Sequence, residues 1–276
     1  MHPGKSVRLQ KLWKHKRTVL IPFDHANYSG PVPGIEDTLR LTERIASTAA
    51  DGILITPGVL KHVAPVVGDL GILLRIDGGF TKYTTEQKDF EEICSIEDAI
   101  RLGADAAIIF TFLNTAAEAA SVRRLGKTAT DADHWGVPLV AEILPRSLLN
   151  NHFGTQMFAQ TGGSPVDLHD ETRTAVRIGA EVGADVIKTR FTGHIDQFRE
   201  IVRSAGARVI VAGGPLLGEG DEALLRLAAD CMKADADGII FGRNVWQHPN
   251  MEKLLAALCA IVHEEESVRS ALKLLR

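Results

Sequence analysis

The octapeptide Gly183-Ala184-Asp185-Val186-Ile187-Lys188-Thr189-Arg190 contains two structural signals in succession. Glycine and small residues close a helix C-terminus, and the run from Val186 is strand-forming, with the composition of a strand buried on both faces apart from its two cations. The phrase recurs. Ala49-Ala50-Asp51-Gly52 precedes Ile53-Leu54-Ile55-Thr56, Gly103-Ala104-Asp105 precedes Ala106-Ala107-Ile108-Ile109-Phe110, and Ala234-Asp235-Ala236-Asp237-Gly238 precedes Ile239-Ile240-Phe241-Gly242. Helix and strand therefore alternate. Filling the intervals predicts eight strands, at Thr18–Asp24, Gly52–Thr56, Ile72–Asp77, Ala106–Thr111, Pro138–Ile143, Asp185–Arg190, Arg208–Ala212 and Gly238–Phe241. Segments such as Asp37–Ala50 and Asp170–Val182 carry apolar residues at helical spacing. Eight strands alternating with helices form an α/β protein, a (β/α)8 TIM barrel occupying residues 1–276 as a single domain. A doubly wound sheet would place a glycine-rich dinucleotide loop after its first strand, and Phe23-Asp24-His25-Ala26-Asn27 is not one.

The chain has 276 residues and 45% apolar content, enough for a large core. Net charge is −4 with scattered Lys and Arg, which provides no footprint for nucleic acid or an anionic membrane and points to a small-molecule partner. Cys94, Cys231 and Cys259 are widely spaced, as expected of core residues in a reducing cytoplasm. The basic segment 1–17 reads as a solvated cap, and Met251–Arg276 as a charged closing helix packed on the surface. No apolar stretch has the length of a membrane span, so a cytoplasmic location is expected. Two long connections, 78–92 and 145–165, follow strands and belong on the active face as binding loops; the second carries Asn150, Asn151, His152, Gly162 and Gly163.

In such a barrel the strand C-termini and the loops after them build the active site. The polar residues there are Asp24 and His25 after the first strand, Asp77 at the third, Glu142 on the fifth, Lys188 and Arg190 on the sixth, Gly213 and Gly214 after the seventh, and Gly242 and Arg243 after the eighth. Lys188 interrupts an apolar strand, and alternation puts it on one face with Arg190. If that face is the lumen, a low-dielectric cavity and a second cation favour a neutral, nucleophilic amine. A lysine snorkelling to water or paired with Glu142 fits the spacing equally well. The glycine pairs let backbone approach an anion closely, with Arg243 adding a charged contact, as in barrel phosphate sites. Asp24, His25 and Glu142 are the candidate proton carriers, whereas Asp77 reads as a turn residue before Gly78-Gly79. The ten histidines form no HxH or HxxxH pair, so no metal and no other cofactor is expected.

These residues together resemble the archaeal-type class I fructose-bisphosphate aldolase family of DeoC/LacD-like aldolases, which includes 2-amino-3,7-dideoxy-heptulosonate synthases and autoinducer-2 phosphate thiolases. The resemblance spans nearly the whole chain. It is carried by Pro22-Phe23-Asp24-His25 with Gly30-Pro31, Ser95-Ile96-Glu97-Asp98-Ala99, the run 183–189, Ala212-Gly213-Gly214-Pro215 and Gly242-Arg243-Asn244-Val245-Trp246-Gln247. It implies that Lys188 is a Schiff-base lysine, Asp24 a proton carrier, and the late glycines with Arg243 the phosphate grip. It also implies a phosphorylated ketose or diketone substrate and a homo-oligomer, often a decamer in the family. One position departs: many members carry an acid/base tyrosine before the Pro-Arg that follows the fifth strand, and here Leu144 precedes Pro145-Arg146. The expected activity is carbon–carbon cleavage or formation through Lys188. A lysine-dependent transfer reaction is the alternative within the same machinery, and a non-catalytic phosphosugar-binding barrel the alternative outside it.

Overall fold

In the computed structural model eight parallel strands close a barrel in chain order: β1 Thr18–Pro22, β2 Gly52–Ile55, β3 Gly71–Arg75, β4 Ala106–Phe110, β5 Leu139–Glu142, β6 Val186–Arg190, β7 Arg208–Ala212 and β8 Gly238–Ile240. The structure describes residues 2–86, 88–155, 157–158, 167–216, 218 and 220–276; Gly162 and Gly163 lie outside them. The helices are α1 Pro3–Leu12, α2 Ala26–Ser29, α3 Thr38–Ala46, α4 Pro57–Val63, α5 Ile96–Arg101, α6 Glu118–Trp135, α7 Arg146–Phe153, α8 Leu168–Glu181, α9 Ile195–Ser204, α10 Asp221–Lys233, α11 Arg243–Trp246, α12 Met251–Glu264 and α13 Val268–Ala271.

The recurring aspartate has a mechanical reason. Asp51, Asp105, Asp185 and Asp237 precede β2, β4, β6 and β8, and each accepts, at 2.8 Å, a backbone N–H at the start of the preceding strand: Val19, Ile72, Leu139 and Val209 respectively. Four carboxylates thus tie the strands in pairs at the N-terminal end of the barrel, satisfying donors that the ladder leaves over.

Strand alternation divides the core in two. Leu20, Leu54, Leu73, Ile108, Val140, Val186, Ile210 and Ile240 fill the lumen, while their neighbours Ile21, Ile53, Leu74, Ile109, Ala141, Ile187, Val209 and Ile239 pack outward under the helices. The N-terminal segment is a plug, not a solvated cap. Leu9, Leu12 and Trp13 of this segment join the lumen cluster, and Lys5 is buried between Asp133 and Asp185. Its helical spacing of Leu9 and Leu12 supplies an apolar face that the flanking basic residues obscure. At the other terminus, the single charged surface helix expected over 251–276 is broken. Helix α12 is largely buried through Leu254, Leu255, Leu258, Ile261 and Val262, and it stops where Glu265 takes a left-handed conformation, φ 57°. The three cysteines are buried and free.

Six strands end earlier than expected, β2, β4 and β5 by one residue each and β1, β3 and β8 where the chain turns toward the site. The chain turns after β1 at Asp24-His25 into α2, Asp77 leaves β3 to pair antiparallel with Glu92 in a short ribbon, and β8 stops before Phe241. The connection after β5 is helical in its first part, as α7.

Replacing Asp237 with alanine orphans the buried Val209 N–H and should lower stability by about 1–3 kcal/mol in urea unfolding, whereas asparagine, which keeps an acceptor oxygen, should lose less. Equal losses for the two variants would show that charge and not hydrogen bonding ties these strands.

Candidate active site

Because Val140 and Val186 point into the lumen and Ala141 and Ile187 do not, alternation sends Glu142, Lys188 and Arg190 inward at the C-terminal mouth. The same rule applied to Leu73 sends Arg75 inward from β3. Glu142 and Lys188 are register partners on neighbouring strands, and Lys188 Nζ lies 2.8 Å from Glu142 Oε1. Both are buried, at 1% and 4% exposure. Lys188 therefore faces the lumen, and there it pairs with Glu142, the partner that the spacing allowed as an alternative to a free nucleophile.

Arg75 organises the carboxylates. Its Nε is 2.9 Å from Asp24 Oδ2, its Nη1 is 3.2 Å from Asp77 Oδ1, and its Nη2 donates to Glu142 Oε2. Burial opposes its charge, but Asp24, Glu142 and Asp77 hold the guanidinium well above the ordinary arginine value. Burial likewise pushes Glu142 up, yet the fields of Lys188 and Arg75 prevail and hold it well below the usual carboxylate range, so it is ionised beside the lysine. Asp77 is not the turn residue its Gly-Gly neighbours suggest. It is fully buried, and its Oδ2 accepts from Phe110 N–H and Arg124 Nη1, each at 2.7 Å. Sequence reasoning passed over Arg75, although the signal was present: it is a charge inside an apolar strand, sharing a face with Asp77 as Lys188 does with Arg190.

Arg190 takes a different course from the one its spacing suggested. Its guanidinium lies against Gly214 and is destabilised by burial and by Arg243, not held beside Lys188. Among the described residues neither arginine has a carboxylate partner in an ion pair, and the buried Arg243 Nε has no hydrogen-bond partner. Glycine is required here. Gly214 has φ +79°, and a Cβ at Gly242 would stand 3.0 Å from Pro22 O and 3.2 Å from the His25 ring. Lys188, Arg190, Gly213, Gly214, Gly242, Arg243, His25 and His152 all line one cleft, with free space of about 20 Å³, room for one water molecule. His25 stands edge-on to Trp246, with its Nδ1 3.7 Å from Asp24 Oδ1. Burial, the largest influence, lowers it to about 4 despite Asp24, leaving it neutral at pH 7.

His152 reaches the cleft from α7, with Nε2 3.9 Å from Glu142 Oε1 and 3.5 Å from Tyr28 Oη. The sequence placed it on an active-face loop without assigning it a role. Leu144 is buried in an aromatic cluster with Tyr28, Phe110 and Phe153. Spacing also missed a trio at the opposite end of the barrel, where the His15 and His263 rings stack at 4.0 Å and His263 Nε2 is 2.8 Å from Asp51 Oδ2. The ligand atoms of His15, Asp51 and His263 lie within 4.8 Å of one another, a grouping that could hold a metal ion, and the His263 contact with Asp51 ties α12 to the start of β2.

The closed (β/α)8 barrel thus carries at its mouth a buried lysine and, among the described residues, two arginines without carboxylate partners. The chain belongs to the DeoC/LacD aldolase family, whose model matches residues 18–248. It is 33% identical to the 2-amino-3,7-dideoxy-D-threo-hept-6-ulosonate synthase of Halobacterium salinarum, over 98% of this chain and 95% of that one. It is 28% identical to the 3-hydroxy-5-phosphonooxypentane-2,4-dione thiolase of Yersinia enterocolitica, over 98% and 86%. A solved Schiff-base-forming fructose-1,6-bisphosphate aldolase superposes with a TM-score of 0.76 at 26% identity, covering 94% of this chain and 99% of that one. No helix among the described residues is long and apolar enough to cross a membrane.

The buried histidines give stability a definite pH dependence. The unfolded chain takes up protons below about pH 6.5, while folded His25 declines them down to about 4. His152, lowered by burial, acts with the same sign. Unfolding free energy should thus fall as pH drops from 6.5 toward 4. His25→Gln should flatten that decline in urea midpoints measured between pH 7 and 5; an unchanged slope would contradict the buried neutral imidazole.

Proposed function

We propose that the protein is a class I aldolase, a carbon–carbon lyase or its synthetic reverse, acting on a phosphorylated ketose through a Schiff base on Lys188. One observation carries this reading: a buried lysine amine sits 2.8 Å from an ionised carboxylate, in the same cleft as two arginines without carboxylate partners. Two half-buried guanidinium groups in one cleft, with the charge of Arg243 destabilising that of Arg190, gain from a dianion between them, so Arg190 and Arg243, with backbone at Gly213, Gly214 and Gly242, suit a phosphate. The free space is small, so a sugar phosphate enters by displacing side chains, Arg190 first, because its head group overlies Gly214.

The Lys188 amine adds to the ketose carbonyl, and the carbinolamine loses water to give an iminium. Glu142 steadies that cation without taking its proton, since it stays ionised beside Arg75. A base then removes the proton from the hydroxyl two carbons beyond the iminium. The carbon–carbon bond breaks, its electron pair neutralises the iminium as an enamine, and an aldehyde departs. Protonation of the enamine carbon and hydrolysis release the second product and the free amine. Asp24 and His25, 3.7 Å apart at the rim, are the first-strand candidates for these proton transfers.

A second reading, lysine-dependent transfer to an acceptor other than a proton, is favoured by one residue. Leu144 offers no proton where many members of the family hold a tyrosine, and the named synthase and thiolase relatives are consistent with such a reaction.

Borohydride added to the protein with a panel of phosphorylated ketoses and diketones should leave a mass adduct that Lys188→Met abolishes. Arg243→Met should retain trapping at saturating ligand while raising the concentration needed by about ten-fold or more, the effect of one charge-assisted contact. Adduct formation that survives Lys188→Met and disappears with another lysine would contradict the nucleophile. Ligand-induced stabilisation without adduct or turnover would indicate a binding barrel, and chelator-sensitive turnover without an adduct a metal-dependent aldolase.

A further inference from the structure

We infer that His152 is the proton carrier that stands in for the absent tyrosine, with Tyr28 as its positioning residue. This rests on the Schiff-base reading above and assigns the half-reaction which that reading leaves open. The position normally filled by tyrosine cannot contribute. Leu144 is 1% exposed and packs into the aromatic cluster with Phe110 and Phe153, so its side chain only fills space.

The geometry brings a titratable ring to the mouth by another route. Helix α7 starts at Arg146, two residues after that position, and runs two turns, so its last turn carries His152 back over the end of β5. The imidazole is pinned on three sides: edge-on to Phe153 at 4.7 Å, tilted against Phe110 at 5.6 Å, and beside Tyr28, whose Oη lies 3.5 Å from Nε2. The remaining direction opens on the cleft that holds Lys188, Arg190 and Arg243. Nε2 also faces Glu142 Oε1 at 3.9 Å, and the same oxygen lies 2.8 Å from Lys188 Nζ. A group bonded to Lys188 therefore shares its cleft with this ring, and with only one other imidazole, His25. His25 lies on the β1 side, edge-on to Trp246 and next to Gly242.

The charges around His152 suit a base that becomes active when substrate binds. Burial, Lys188, His25 and Arg243 keep the ring neutral, and Glu142 alone opposes them. A phosphate bound at Arg243 offsets one of those cations, and its arrival therefore raises the basicity of the imidazole. Burial keeps the neighbouring Tyr28 phenol protonated. In cleavage, His152 takes the proton of the substrate hydroxyl as the O–H and C–C bonding pairs shift to form the aldehyde and the enamine. The imidazolium so formed faces the Glu142 carboxylate and returns its proton to the enamine carbon, restoring both groups.

The test uses the full-length protein with dihydroxyacetone phosphate as probe, reading borohydride adduct by intact mass and carbon-bound proton exchange with D2O by NMR. His152→Gln should trap to within about two-fold of the wild type while exchange falls about 10²–10⁴-fold, the usual contribution of a positioned acid/base. Added imidazole should restore part of the exchange in His152→Ala, a response that a purely structural histidine would not give. Tyr28→Phe should lose less and displace the acid limb of the exchange profile. Exchange unchanged in His152→Gln would overturn the assignment, as would trapping and exchange lost together in a variant whose unfolding midpoint matches the wild type. A wild type that forms no adduct with any phosphorylated ketose would instead overturn the Schiff-base reading beneath it.

Discussion

One guanidinium at the top of the lumen holds the mouth of the barrel together. Arg75 contacts Asp24 from the end of β1, Asp77 beyond its own strand and Glu142 from β5, bridging three sides of the barrel. Three carboxylates confined at low dielectric would otherwise repel one another or take up protons. Removing one partner from a buried ionic cluster typically costs about 3–5 kcal/mol, because the charges left behind have no water to turn to. With Arg75 in place, Glu142 stays ionised and fixes the Lys188 amine by a contact of 2.8 Å. The position of the nucleophile in the proposed mechanism is thus decided two residues away from the lysine itself.

The two ends of the barrel divide the work. At the N-terminal end, four aspartates tie adjacent strands, and Leu9 and Leu12 of helix α1, with Trp13 just after it, plug the lumen. At the C-terminal end, two arginines have no carboxylate partners among the described residues, and glycines line the cleft beside them. Incomplete pairing at one end is offset by the carboxylate ties at the other. Such asymmetry is what a barrel enzyme needs, since unsatisfied groups that would weaken a core are the ones that gain most when a substrate arrives.

The eight strands were legible because their signals are local. Small residues, aspartate and an apolar run repeat along the chain, and each repeat reflects one backbone N–H donating to a carboxylate. Lys188 was legible for the same reason, as a charge breaking an apolar run whose alternation sends it inward. What stayed hidden depends on closure. Arg75 gains its meaning from Asp24 and Glu142, 51 and 67 positions away, which no window of sequence brings together. Arg190 shares a strand face with Lys188, yet its long side chain turns to Gly214 and Arg243, a choice set by space and not by periodicity. The plug at α1 was masked by its basic flanks, and the broken C-terminal helix by the length of its charged tail.

The placement of Lys188 is tested most directly by a crystal structure of the protein reduced with borohydride in the presence of dihydroxyacetone phosphate. Continuous density should join Lys188 Nζ to the former carbonyl carbon, with the phosphate between Arg190, Arg243 and the backbone of Gly214 and Gly242. Density joined to a different lysine, or a phosphate bound away from the two arginines, would contradict it.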